Sequence, residues 1–214
     1  MARYSKGIET KRKLILLTYH KLLEQNVSSI TVRNLVAEAG YSPSALYRYF
    51  GSLDDLIVVA SVRFLEEYIR GYAALLDRND DFMKIYRDGW QLFNYHAFSR
   101  PDVFYGLFWG EYNGKFANAM EEYYQVFPFV GSQKSPDLFS RLFFQNNIYE
   151  RDYRVLSEAA ARGCISKEDA AYFSRVVPLV VKGILDEYRY CDMAERRKGE
   201  NECNELIRRC LDHI

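Results

Sequence analysis

Apolar residues in this chain recur at intervals of three and four through long blocks, the spacing of one face of an α-helix. Only 12 Gly and 5 Pro punctuate 214 residues, so the blocks are too long for the short strands and frequent turns of a β fold. Residues 9–25 show the pattern: Leu14, Ile15, Tyr19, Leu22 and Leu23 fall together, with charge on the other side. Asn26 is a candidate stop, because Asn tolerates the left-handed conformation that helix ends use. Hydrophobic residues make up 49% of the chain, enough for a buried core rather than disorder. Neither repeats nor strand-like alternation interrupts the reading, and the expected fold class is all-α.

Local punctuation then sets two short helices side by side. Thr31 is placed to cap a helix over 32–39, whose Val32, Leu35, Val36 and Ala39 make one apolar stripe, and Gly40 is placed to end it. Ser42 and Pro43 open a second helix over 43–49. Seven residues do not sustain a helix alone in water, so Leu46 and Phe50 are its expected anchors. Ser52 with Asp55 resembles a capping box, with Asp for the usual Glu, and predicts a long helix to Leu76. Further helices are expected near 81–98, 102–110, 113–127, 137–162, 167–191 and 200–213. Their breaks would be Ser99-Arg100-Pro101, Asn113-Gly114, Val130-Gly131-Ser132, Gly163 and Gly199, and Pro178 predicts a kink inside one of them. Arg78-Asn79-Asp80-Asp81 is the candidate boundary. It gives a small unit over 1–52, a connecting helix over 53–80 and a larger unit over 81–214.

Charge is zero in sum but uneven. Residues 1–50 hold eight Lys/Arg against three Glu, and the remainder holds 21 basic and 26 acidic residues. A basic amino-terminal segment points to a polyanion partner. The start, MARYSKGIETKRK, lacks the apolar run of a signal peptide, and no stretch approaches the roughly 18 apolar residues of a membrane span. A soluble, cytoplasmic protein with no membrane partner is expected. Cys164, Cys191, Cys203 and Cys210 fall in the last quarter with no CxxC pair. They read as reduced, buried thiols, the alternative being a redox switch or a metal site using Cys210 and His213. No metal or other cofactor is expected. GxSxG, P-loop, HExxH and Rossmann patterns are all missing and the three histidines (His20, His96, His213) are scattered, so an enzyme is not expected.

Two short helices joined by a glycine-bearing turn form a helix-turn-helix, whose second helix is narrow enough for the major groove of B-DNA. Ser42, Ser44 and the hydroxyls of Tyr47 and Tyr49 are short donors within reach of phosphates. Arg48 is the only charged side chain of helix 43–49, suited to guanine or phosphate. Pro43 and Ala45 suit thymine methyls or sugar, and Thr31 and Arg33 suit the flanking backbone. The run from Thr31 to Phe50, with Ala-Gly at the turn and Leu46-Tyr47-Arg48-Tyr49-Phe50 at its end, resembles the amino-terminal domain of TetR-family regulators. The likeness continues through Gly51-Ser52-Leu53-Asp54-Asp55-Leu56 and covers about residues 9–60. It implies that Thr31, Ser42, Ser44, Tyr47 and Tyr49 touch DNA, with Arg33, Pro43, Ala45 and Arg48 as additions. Many relatives carry a phosphate-gripping Lys where this chain has Leu53, so the expectation is either lower affinity or a backbone contact that falls to Lys6, Lys11 or Arg12. Thr18-Tyr19, where relatives favour two alanines, predicts looser or rearranged packing of the first helix.

The same resemblance implies a homodimeric repressor released from a palindromic operator by a small-molecule effector. The alternative is a helical sensor or adaptor with weak or lost DNA binding. Residues 82–153 are dense in aromatics, which suits a small hydrophobic or aromatic effector. Tyr86, Trp90, Phe93, Tyr105, Trp109 and Phe143 are the expected apolar lining, with His96, Glu111, Asn146 and Asn147 as polar handles. A Glu among such rings would suit a hydrophobic cation. The dimer surface is expected on the last two helices. Tyr172, Val176, Leu179, Val180, Gly183 and Ile184 form one stripe, and Cys203, Leu206, Ile207 and Cys210 form the other.

Overall fold

A computed structural model of the chain describes residues 2–25, 27–78, 81–144 and 147–212. Among the described residues all regular structure is helical. In chain order the helices are α1 (Ala2–Glu24), α2 (Val32–Ala39), α3 (Pro43–Tyr49), α4 (Leu53–Ser61), α5 (Glu66–Leu76) and α6 (Phe82–Ser99). There follow α7 (Pro101–Phe108), α8 (Phe116–Val126), α9 (Pro136–Phe143), α10 (Ile148–Ala161), α11 (Lys167–Glu187) and α12 (Met193–Leu211). Two compact units result: Met1–Phe64 with Lys115–Phe129, and Leu65–Gly114 with Val130–Ile214.

In the first unit α1 packs on α2, α4 and α8, and α2 packs on α3. Leu14, Ile15, Leu35, Leu46, Leu56 and Val58 are fully buried between them. The first helix begins at Ala2, well before residue 9. Thr18 is fully buried, and its hydroxyl donates to the Leu14 carbonyl at 2.8 Å. Tyr19 turns onto Phe64, ring centres 4.7 Å apart, under the Arg63 guanidinium.

The single helix expected from 53 to 76 is interrupted by a 3-10 turn, Val62–Leu65. Just before the turn, the Ser61 hydroxyl donates back to the Ile57 carbonyl at 2.8 Å, a bond that competes with helix geometry and bends the backbone. The passage from one unit to the other falls inside this turn.

In the second unit α6 lies at the centre, with α5, α7, α10, α11 and α12 packed on it. Here three expected boundaries move. The helix placed over 137–162 is two helices, and Asn147 caps the second by accepting from the Tyr149 N–H at 2.9 Å. The last helix starts near Met193 rather than at 200, because Asp192 caps it by accepting from the Glu195 N–H at 3.0 Å. Gly199 is therefore interior and breaks nothing. A Cβ there would lie 2.6 Å from the Tyr188 ring and 2.9 Å from Phe98, so glycine permits a close helix approach. Helix α11 runs through Pro178 and ends at Glu187, short of 191. Among the described residues no helix is long and apolar enough to cross a membrane.

Candidate nucleic-acid interface

The geometry of the helix pair is set by its caps. The Thr31 hydroxyl accepts from the Asn34 N–H at 3.2 Å, starting α2. Gly40 sits at φ 72° and stops it, its N–H bonded to the Ala37 carbonyl while the Tyr41 N–H reaches Val36 at 2.8 Å. Positive φ at this point is the left-handed helix end for which glycine is suited. Pro43 then occupies the first turn of α3. The expected side-chain cap from Ser42 is not made; its hydroxyl bonds to that of Ser44 instead, at 2.8 Å.

Leu46 and Phe50 are buried and hold α3 from beneath. Its other face is open: Ser42, Pro43, Ser44 and Arg48 are exposed, Tyr47 is 56% exposed, and Ala45 and Tyr49 are half-buried. Thr31 and Arg33 are exposed at the start of α2. A cleft of about 760 Å³ beside α3 is lined by Lys11, Tyr41, Ala45, Arg48, Tyr49 and Val126 among others.

The cations around this face divide into tied and untied. Lys11 pairs with Glu122 at 2.5 Å, and Arg12 donates to the Val126 carbonyl at 3.0 Å while lying over the Phe127 ring. Both side chains are thus engaged by α8, and the side chain of Lys6 lies outside the described residues. Lys21 pairs with Glu38 at 2.6 Å, and Lys115 with Asp55 at 2.7 Å, which holds the Asp55 carboxyl below its usual range. Among the described residues, no carboxylate pairs with Arg33 or Arg48. Residues 115–129 supply several of these partners, and nothing in the local sequence pattern assigns them to the amino-terminal unit.

The second unit holds the aromatic residues expected to line a pocket. Tyr86, Trp90, Phe93 and Phe143 are buried, and Tyr105 and Trp109 are half-buried. Phe93 is the hub: the rings of Phe108, Trp90, Phe104, Tyr68 and Trp109 stand 5.1, 5.2, 5.4, 5.5 and 6.0 Å from it. His96 is half-buried beside Tyr68, and burial lowers its pKa. The other expected handles lie elsewhere. Glu111 is exposed in the turn after α7, Asn147 is spent as an exposed helix cap, and Asn146 lies outside the described residues.

The charged groups inside the cluster are Arg151 and Asp152 of α10, both buried. Asp152 accepts from the Tyr86 hydroxyl at 2.6 Å and from Trp90 Nε1 at 2.9 Å. Burial pushes its carboxyl up to about 7, against the attraction of Arg151 and these two bonds. Arg151 donates to the Tyr68 hydroxyl at 2.9 Å, and burial pushes that phenol up to about 12. A sequence signal for the pair did exist. Ile148, Arg151, Asp152, Val155, Leu156 and Ala159 are one helical stripe, so two charges stand at core positions.

Of the residues expected at a dimer surface, Tyr172 and Leu179 are 60% and 48% exposed, Gly183 is exposed, and Val176, Val180 and Ile184 are half-buried. Cys203 and Ile207 are instead buried within the chain's own second unit, where α12 meets α6 and Asn94 bonds both Cys203 and Asn204. Leu206 is exposed and Cys210 half-buried. Of the four thiols only Cys203 is buried, which pushes it up to about 12; Cys164 is exposed, and His213 lies outside the described residues.

The family model described as bacterial regulatory proteins, tetR family, matches residues 20–60, from within α1 to within α4. No curated protein and no solved structure matches the chain. Over residues 20–60, the helix-turn-helix and its flanks, the chain is thus similar to the DNA-binding domain of tetR-family bacterial regulatory proteins.

Proposed function

We propose that the protein is a repressor that reads a palindromic operator as a homodimer and releases it when a small hydrophobic or aromatic effector enters the second unit. The observation that carries the DNA reading is the open face of α3, where Arg48 stands exposed without a carboxylate partner beside Ser42, Ser44, Tyr47 and Tyr49. Arg48 contacts a base edge or phosphate, Thr31 and Arg33 grip the flanking backbone, and Pro43 and Ala45 meet sugar or methyl groups. Selection from random duplex DNA with the full-length protein tests this. An enriched palindrome is expected, bound about 10- to 100-fold more weakly by Arg48→Ala and more weakly by wild type at higher salt. Absence of enrichment at low salt would favour the sensor or adaptor reading, for which the tethered Lys11 and Arg12 and the apolar Leu53 speak.

The apolar stripe Tyr172, Val176, Leu179, Val180 and Gly183 on α11 repeats at helical intervals and suits a twofold contact with a second copy. A charge at its centre would have to be desolvated on association. Leu179→Glu is therefore expected to shift the protein to monomer in sedimentation, with its helical content retained and its operator affinity reduced. A variant that sediments as the wild type would remove α11 from the interface.

A further inference from the structure

Phe93 and Phe108 border two polar groups that the protein itself leaves in surplus of donors. The Arg151 guanidinium lies 5.4 Å from the Phe93 ring centre and 5.6 Å from that of Phe108, with Tyr68 and Trp90 rings at 5.9 and 5.5 Å. Arg151 is only 7% exposed, yet among the described residues its one side-chain hydrogen bond goes to a neutral phenol. Among the described residues, no carboxylate lies within ion-pairing distance of it. Its neighbour Asp152 is turned away, both oxygens taken by Tyr86 and Trp90. The second group is Trp109, whose ring stands 6.0 and 6.1 Å from the same two phenylalanines. Its Nε1–H is buried with no acceptor.

Guanidinium and indole are donors only. A buried cation without a counter-ion and a buried donor without an acceptor, both against the Phe93 and Phe108 rings, are costly in an apolar core. Such a cost is expected where a ligand supplies what is missing. A cationic ligand would add to the imbalance; a carboxylate would correct it, accepting from both groups while its apolar body packs on the rings.

We infer that the effector site of the second unit takes a hydrophobic or aromatic carboxylate, whose acid group pairs with Arg151 and accepts from Trp109 Nε1. This rests on the reading of the second unit as the effector-binding unit, and it replaces the cation that a Glu handle would have favoured. Burial keeps Asp152 largely protonated below about pH 7, so it does not neutralise Arg151 there. Rings on every side give the acid a low-dielectric setting, in which the pairing is strong.

The chain has two tryptophans, Trp90 and Trp109, and both stand in this cluster, so intrinsic fluorescence reports the site directly. The probes are 2-naphthoate and octanoate, each with its neutral amide and its amine analogue, titrated into full-length protein with and without operator DNA at pH 6.5. The acids are expected to change the fluorescence, raise Tm and weaken operator binding, with at least tenfold lower affinity for amides and amines. Arg151→Met, which keeps an apolar stem in the cluster, is expected to abolish that preference, and its Tm shows whether the fold survives; Arg151→Lys is expected to retain part of it. Amides or amines that bind as well as the acids and release DNA would overturn the carboxylate inference while leaving the effector reading in place. Loss of acid binding in Trp109→Phe, with Arg151→Met unaffected, would overturn the pairing with Arg151. If no member of the panel binds or alters operator affinity, both fall.

Discussion

Leu46→Ala is expected to abolish operator binding while leaving the second unit folded. Leu46 is the fully buried side chain of α3, and the helix has only seven residues. Helices that short draw their stability from packing rather than from intrinsic propensity. Removing the anchor takes away transfer free energy and leaves a cavity, together about 3 kcal/mol, a large part of the stability that a small domain possesses. The exposed face that carries Tyr47 and Arg48 loses its orientation when the buried face loses its contact. Denaturant unfolding, followed beside operator titration, checks the prediction. A midpoint and affinity equal to wild type would mean that α3 is held by Phe50 and its caps alone. Leu46→Met, which nearly conserves volume, is expected to cost less than about 1.5 kcal/mol and to retain binding. The contrast between the two variants separates packing from any direct effect on DNA.

The parts of this fold that were legible in sequence are those whose cause is local. Thr31 accepts from an amide three residues on, Gly40 takes the left-handed conformation, and Pro43 opens α3, each doing what its own chemistry favours. Periodicity likewise located α6 and α11 to within a few residues. The failures are tertiary. Gly199 looks like a break in sequence, and only the approach of Tyr188 and Phe98 shows why a glycine stands inside a helix. Cys203 and Ile207 make an apolar stripe whether a second chain or α6 covers it, and the stripe alone does not say which. Lys11 and Arg12 are free cations in a local reading. Their partners Glu122 and Val126 stand more than a hundred positions later. Arg151 and Asp152 are hidden for a different reason: a charged side chain ordinarily marks the solvent face of a helix, whereas these two are buried on the core stripe of α10.

Asp152→Asn is expected to be nearly neutral for stability at pH 5 and stabilising at pH 8. In the folded protein burial raises the Asp152 carboxyl from its ordinary 3.8 to about 7, so the folded state holds this proton more tightly than the unfolded chain. That contribution is complete below about pH 4, is lost as pH rises towards 7, and is constant above. By linkage the interval corresponds to about 4 kcal/mol. Asparagine carries no charge in either state and removes this dependence. At pH 5 the acid is neutral in the folded state but ionised in the unfolded chain, which already takes about 1–2 kcal/mol of that interval from the wild type. The acceptor that asparagine takes from Tyr86 or Trp90 costs the variant about as much, about 1–2 kcal/mol. At pH 8 the wild type bears a buried anion that the variant lacks, so the variant should unfold at the higher denaturant concentration. His96, whose pKa burial lowers, is common to both proteins, so its contribution cancels in the difference between them. The measurement is the pair of urea midpoints across pH 5–8. Parallel profiles would mean that Asp152 stays ionised over that whole range. The bonds from Tyr86 and Trp90, together with the nearby Arg151, would then be enough to hold its charge inside an aromatic core.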